Sequence, residues 1–161
     1  MIISTIKKDN IHLLQSFIKC KIPSSFRYFK NRSIEVIKNH KLTIIGYEFL
    51  NNNKIPIGYA HIDNEDNINW IGICVLKNYQ GKGFGKQLFL YILDYIKNNN
   101  IQNVKLTVDI DNYIALNMYL KNNFSIEKIH KNYYTLQLLE SPLLEVSLGE
   151  AIDKLTILDI K

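Results

Sequence analysis

Cysteine is almost missing from the 161-residue chain: Cys20 and Cys74 stand far apart and form no C-x-x-C pair. A disulfide scaffold and a cysteine zinc site are therefore excluded, no metal is expected, and a reducing, cytoplasmic compartment is the expectation. Three prolines and seven glycines rule out collagen-like and low-complexity chains. No apolar run approaches about 18 residues, so neither a membrane span nor a membrane partner is expected. The opening Met1–Asp9 is charged from Lys7 onward, too soon for a secretory signal. Arginine is scarce as well, since Arg27 and Arg32 are the only two among 20 basic residues. Ile, Asn and Lys dominate, a bias toward AT-rich codons, so the lysines report base composition as much as binding.

What is present is an ordinary globular mix, 47% hydrophobic and 22% charged, of a length that suits one domain. The net charge of +5 is unevenly spread: the body is basic and residues 140–161 are net acidic. A basic body suits a small phosphorylated ligand or nucleic acid. No basic and aromatic recognition module is found, so nucleic acid is not an expected partner.

Hydrophobic periodicity divides the chain into short elements. Ile2–Ile6 reads as a strand, and Asp9 or Asn10 caps a helix to about Lys19 that Pro23-Ser24-Ser25 interrupts. Ser33 caps a short amphipathic stretch, Ile34–Lys38. Lys41–Leu50 and Lys54–Ile62 form a hairpin around Asn51-Asn52-Asn53, and Asp63–Asn67 reads as a polar turn. Ile68–Leu76 is apolar on both faces, hence a central strand. A glycine-rich loop leads to a helix ending near Lys97. Gln102–Ile110 is a strand, Asp111 opens a helix to about Asn122, and Phe124–Ile129 with Tyr133–Leu139 close as a hairpin. The order β-α-α-β-β-β-α-β-α-β-β predicts a mixed α/β sheet.

The chemistry-bearing segment is Gln80-Gly81-Lys82-Gly83-Phe84-Gly85-Lys86, between the buried strand and the amphipathic helix. Glycines let a ligand approach the backbone, and unpaired amides at a helix start attract anions, so a pyrophosphate is the expected guest. The segment is not a Walker A loop, which would need Gly at Gln80 and Ser or Thr at Gln87. It is not a dinucleotide fingerprint either, which would need a small residue at Lys86. A plain connecting loop is the alternative. Downstream, Asn112, Ala115 and Tyr119 are spaced i, i+3, i+7 and share a helix face.

With Val75-Leu76-Lys77-Asn78-Tyr79-Gln80-Gly81-Lys82-Gly83-Phe84-Gly85-Lys86-Gln87-Leu88 and then Asn112-x-x-Ala115-x-x-x-Tyr119-x-x-x-Asn123-Phe124, the chain resembles the GNAT superfamily of N-acetyltransferases. The resemblance spans about residues 1–139 and is tightest from Trp70 to Phe124. Asn123 stands where Gly is usual; Asn also tolerates the left-handed conformation. The resemblance implies an α/β (α+β) fold with a mostly antiparallel sheet of six or seven strands, helices on both faces and a splayed central strand pair. It implies acetyl-CoA as co-substrate, direct transfer to an amine, and no metal. The amides of Gly81, Lys82, Gly83, Phe84, Gly85 and Lys86 would hold the pyrophosphate, with Gln80 shaping the loop. Free backbone groups around Ile73 and Val75 would pair with the pantetheine arm, and an amide near Cys74 or Val75 would face the oxyanion. Ala115 leaves room for the arm, Asn112 offers it an amide, and Tyr119 protonates the leaving thiolate.

Candidates for the general base are Glu48, His61, Asp63 and Asp109. His61 and Asp63 alternate with Ile62 and share a face beside the Trp70 strand. His40 and His130 read as loop residues. Ser141-Pro142 marks a boundary between a domain over 1–140 and a linker with the start of a possible C-terminal helical domain over 141–161. Residues 145–161 resemble the opening of a small helical domain that accompanies bacterial surface-polysaccharide proteins. That resemblance implies an amino sugar, possibly nucleotide-linked, as the small-molecule acceptor. A protein or polyamine amine, or a non-catalytic acyl-CoA-binding module, is the alternative. Such folds are also compatible with a homodimer.

Overall fold

The computed structural model describes residues 1–140, so what the sequence suggests for 141–161 lies outside the described residues. The strands are β1 (Ile2–Thr5), β2 (His40–Leu50), β3 (Asn53–Glu65), β4 (Ile68–Val75), β5 (Val104–Asp109), β6 (Phe124–Ile129) and β7 (Tyr133–Leu138). The helices are α1 (Ile11–Ile18), α2 (Phe84–Asn98) and α3 (Tyr113–Leu120). The predicted mixed α/β order is present. The Ile34–Asn39 stretch is a 3₁₀ rather than an α turn, begun where the Ser33 hydroxyl accepts from the Glu35 amide at 3.1 Å. β-Branched Ile34, Val36 and Ile37 make so short a segment a poor α-helix.

The seven strands form one sheet in the order β1-β2-β3-β4-β5-β7-β6. Every neighbouring pair is antiparallel except the parallel β4–β5 pair at the centre. Two asparagine turns set the register of the first hairpins. Asn51 and Asn52, then Asp66 and Asn67, take φ values of 50° to 63°, the double left-handed geometry of a tight two-residue hairpin turn. The second turn corrects the sequence reading of Asp63–Asn67 as a polar turn, because β3 continues through Asp63 to Glu65. Both acidic residues find partners in the strand, Tyr28 for Asp63 and Arg32 for Glu65, which offsets the poor strand propensity of carboxylates.

Each face of the sheet is covered. On one, Leu88, Phe89 and Ile92 of α2 and Tyr119 of α3 pack on Ile44, Ile62, Ile71 and Leu106. On the other, Leu13, Leu14 and Phe17 of α1 pack on Ile45, Tyr47, Tyr59 and Cys74, with Phe26 and Phe29 of the following segment against them. β3 therefore sends Ala60 and Ile62 to the first core, and Tyr59, His61 and Asp63 to the second side.

Candidate active site

The parallel pairing of β4 with β5 is short. It joins Asn69, Trp70 and Ile71 to Val104, Lys105 and Leu106, and then stops. Beyond it, β4 keeps β3 as far as Gly58↔Val75, and β5 keeps β7 as far as Asp109↔Tyr133. The two strands thus part from Gly72 and Thr107 onward. The backbone of Ile73 and Val75 has no β5 partner, which is the splay that the sequence resemblance implies.

Past β4, Leu76 leads through a 3₁₀ turn at Lys77–Tyr79 into the glycine loop. Gln80 Nε2 donates to the Val75 carbonyl at 3.0 Å and ties the loop back to the strand end. Gly81 and Gly83 have φ of 75° and 80°, which L side chains rarely adopt. Gly83 is the N-cap of α2 and has no side chain to satisfy the first amides of that 15-residue helix. The Lys82 ammonium sits 5.4 Å from the centre of the Tyr79 ring. Glycines without Cβ, unpaired helix amides and a lysine make a cradle that fits a pyrophosphate.

Two cavities open into the gap. The smaller, about 160 Å³, reaches from Gln80 and Gly85 past Cys74, Val75 and Ala115. The larger, about 350 Å³, is lined by Ile71, Gly72, Thr107, Val108 and Asp109 of the parted strands and by Arg27, Tyr28, Arg32, His61, Asp63, Glu65 and Trp70. Both are lined by Ile73, Asn112 and Tyr119, so the cavities meet there. The other loop residues, Gly81, Lys82, Gly83, Phe84 and Lys86, continue around the helix start and line neither cavity.

Tyr119 is buried against Phe89, with ring centres 5.1 Å apart, and burial pushes its phenol up to about 12. It stays protonated at neutral pH, as a proton donor must. Asn112 spends its side-chain oxygen on the α3 N-cap, accepting from the Ala115 amide at 3.2 Å, and so keeps its NH₂ for a ligand. Asn123, in the position the resemblance gives to Gly, has φ 63°. Cys74 is buried and its thiol is pushed up to about 12, so no thiolate is available for an acyl-carrying role.

The second cavity has an ordered polar wall. The Tyr28 hydroxyl lies 2.5 Å from Asp63 Oδ2 and 2.6 Å from His40 Nε2, and His40 Nδ1 lies 2.8 Å from the Thr43 hydroxyl. His61 stacks on His40 (4.7 Å) and lies tilted against Tyr28 (4.1 Å). Its ring rests on Gly72, where a Cβ would approach it to 2.3 Å. Burial lowers His40 to about 4 and holds His61 well below the usual imidazole range, so both rings are neutral. His61 Nδ1 and Asp63 Oδ1 are buried without a protein hydrogen-bond partner. Two ion pairs flank the cavity, Arg27–Asp109 and Arg32–Glu65, each 2.9 Å.

Of the four base candidates, the fold brings His61, Asp63 and Asp109 to one cavity. Glu48 sits apart, opposite Ile55 near the far end of the first hairpin, and lines neither cavity. The sequence reading overlooked Tyr28 and placed His40 in a loop; His40 instead opens β2 and lies buried behind Asp63. The segment carrying Tyr28 has no periodicity, and only its density of aromatic residues marked it. Among the described residues, no group of three His, Cys, Asp or Glu side chains is placed to hold a metal ion, and no helix is long and apolar enough to cross a membrane.

Residues 11–124 match the family model described as the acetyltransferase (GNAT) family. The chain is 35% identical over 114 residues to the [ribosomal protein bS18]-alanine N-acetyltransferase of Haemophilus influenzae, covering 70% of this chain and 72% of that one. It is 25% identical over 142 residues to an N-alpha-acetyltransferase of Saccharolobus solfataricus, covering 80% and 82%. Its fold matches the acetyltransferase of the GNAT family from Streptococcus pneumoniae with a TM-score of 0.65 at 19% identity, over 87% of this chain and 99% of that one. With the parted strands, the glycine cradle and the two-signature pattern, the chain belongs to the GNAT family and is an N-acetyltransferase that uses acetyl-CoA.

Proposed function

We propose that this enzyme acetylates the α-amine of a polypeptide by direct transfer. The amides from Gly81 to Lys86 hold the pyrophosphate, and Ile73 and Val75 offer backbone hydrogen bonds to the pantetheine arm. Acetyl-CoA supplies an activated acetyl group and a thiol leaving group. Tyr119, where the two cavities meet, holds on its phenolic oxygen the proton that the leaving sulfur takes up.

The observation that carries the acceptor class is the charge and basicity of the larger cavity. Its lining carries Arg27 and Arg32 against Asp63, Glu65 and Asp109, one net negative charge, which matches a single ammonium rather than a polyamine. The imidazole in its lining, His61, and His40 behind Asp63 are weak bases, since burial keeps both neutral. Such a site favours an amine that gives up its proton readily. An α-amine, with a reference pKa of about 7.7–8.0, is already roughly one part in seven neutral at pH 7, whereas a lysine, at about 10.4, is neutral to about one part in 2,500. The relatives named above, which act on alanine or on α-amines, support the same reading. An amino sugar is implied only by residues 145–161. A nucleotide-linked one would also bring a diphosphate into a cavity whose two arginines are already paired.

A thiol-release assay with acetyl-CoA tests this against a panel: a peptide with a free N-terminal alanine, an N-terminally blocked peptide bearing lysine, spermidine, glucosamine and a nucleotide-linked glucosamine. The peptide with the free α-amine is expected to give the highest kcat/KM. A higher value for spermidine or either sugar overturns the acceptor class. Coenzyme binding without thiol release from any amine would favour the acyl-CoA-binding module instead.

A further inference from the structure

Resting on the reading that an amine is acetylated in the larger cavity, we propose that Asp63 receives the acceptor's proton and that Tyr28 is the positioning residue that aims the Asp63 carboxylate. With Asp63 as a carboxylate, the hydrogen bonds of the polar wall run one way. A carboxylate has no proton to give, so the single proton of the Tyr28 hydroxyl goes to Asp63 Oδ2, 2.5 Å away. His40 Nε2, 2.6 Å from the same hydroxyl, must then carry hydrogen and donate. His40 Nδ1 accepts in turn from the Thr43 hydroxyl at 2.8 Å. Thr43, His40 and Tyr28 thus form a file of donors ending on one carboxylate oxygen.

The other oxygen, Oδ1, is buried and without a protein partner, on a residue that lines the cavity. The other two carboxylates facing the cavity are engaged. Glu65 is held by Arg32 and Asp109 by Arg27. His61, whose Nδ1 is also without a partner, is fully buried, and that burial disfavours its protonated form; Tyr59, behind it on β3, is buried and kept protonated. Asp63 therefore carries a buried carboxylate oxygen whose hydrogen-bonding capacity is unfilled, and an ammonium entering beside it would supply the missing donor. The step balances simply: an ammonium N–H bond breaks as the Oδ1–H bond forms, leaving a neutral acid and an amine whose lone pair is free to attack. The proton returns to solvent when the product leaves.

The test uses the full chain with ¹³C-labelled aspartate carboxyls, the Asp63 signal being assigned by its loss in Asp63→Asn. In Tyr28→Phe the Asp63 carboxyl signal should move at constant pH, because the hydroxyl no longer donates to it. With the alanine peptide as acceptor, plateau kcat should fall about tenfold while KM and coenzyme affinity stay nearly unchanged, because the base is no longer aimed. A merely structural role for Tyr28 would leave the Asp63 signal in place and lower kcat and coenzyme affinity together. Thr43→Val, isosteric and remote from Asp63, should move the same signal and kcat in the same direction by less, and it reads the same claim if Tyr28→Phe does not fold. Asp63→Asn should cut plateau kcat/KM at least about a hundredfold with coenzyme affinity unchanged. An unmoved Asp63 signal with unchanged kcat in Tyr28→Phe overturns the role of Tyr28, and a plateau within threefold of the parent in Asp63→Asn overturns that of Asp63. Acetylation of glucosamine in place of the peptide would sink only the acceptor class, and the same measurements on that amine would still judge Asp63 and Tyr28.

Discussion

Replacing Tyr119 with Phe removes one hydroxyl from the point where the two cavities meet. The ring keeps its packing on Phe89 and Phe124, at 5.1 Å and 6.1 Å between centres. Among the described residues the phenol makes no hydrogen bond to another group, so no partner is orphaned and stability should change by less than about 1 kcal/mol. The chemical step, in contrast, loses its proton donor. A positioned acid contributes about 10²–10⁴-fold, so kcat should fall at least about a hundredfold, or ~3 kcal/mol in barrier. Coenzyme affinity by calorimetry should stay within about twofold, because the cradle and the free β4 backbone are untouched. The parent enzyme carries a second signature. With its phenol pushed up to about 12, Tyr119 stays protonated as pH rises through 10, where an ordinary tyrosine is half ionised, so kcat should not fall there on its account. Unchanged kcat in Tyr119→Phe, or coenzyme affinity falling in step with kcat, would refute the assignment.

Gly83→Ala adds a methyl group to open space but forces a side chain to φ 80°, which costs about 1–2 kcal/mol or a shift of the loop; calorimetry should show coenzyme binding about tenfold weaker, and unchanged affinity would take the loop out of the cradle. Gly72→Ala would place a methyl group 2.3 Å from His61 Cε1, so the ring must leave its stack on His40; peptide kcat/KM should drop by about tenfold or more with coenzyme affinity retained, and retained activity would show the polar wall to be dispensable. His40 is neutral in the fold, lowered to about 4 from an unfolded value of 6.5, so the unfolded chain binds more protons between those values and stability falls as pH falls from 6.5 toward 4. His61 acts in the same direction. Thermal melts should show His40 accounting for about 2 kcal/mol of that loss, and His40→Gln should flatten the slope between pH 6.5 and 5; identical slopes would contradict a buried neutral imidazole.

The parts of this molecule that sequence exposes are those set by local rules. The hydrophobic period marked α2, Asn51-Asn52-Asn53 marked the first hairpin turn, and alternation around Ile62 placed His61 and Asp63 on one face. The glycine loop was legible because only glycine fits φ 75° and 80° at Gly81 and Gly83. What sequence concealed depends on long-range contact. Tyr28 and Asp63 are 35 residues apart, and neither local pattern hints that they share a hydrogen bond. His40 looked like a loop residue because its burial is supplied by Tyr28, His61 and Thr43 from elsewhere in the fold. Asp63 read as part of a turn because a carboxylate in a strand interior makes sense only once its partner is known. Glu48 attracted notice for the same mid-strand oddity, yet it lies at the other end of the hairpin.

A structure of the protein with coenzyme A bound bears most directly on the account. The pyrophosphate should rest on the amides between Gly81 and Lys86, and the pantetheine amides should bond the backbone of Ile73 and Val75, with the sulfur beside Tyr119 where the cavities join. A ligand held elsewhere, or β4 and β5 zipped together past Ile71 and Leu106 in the complex, would contradict it.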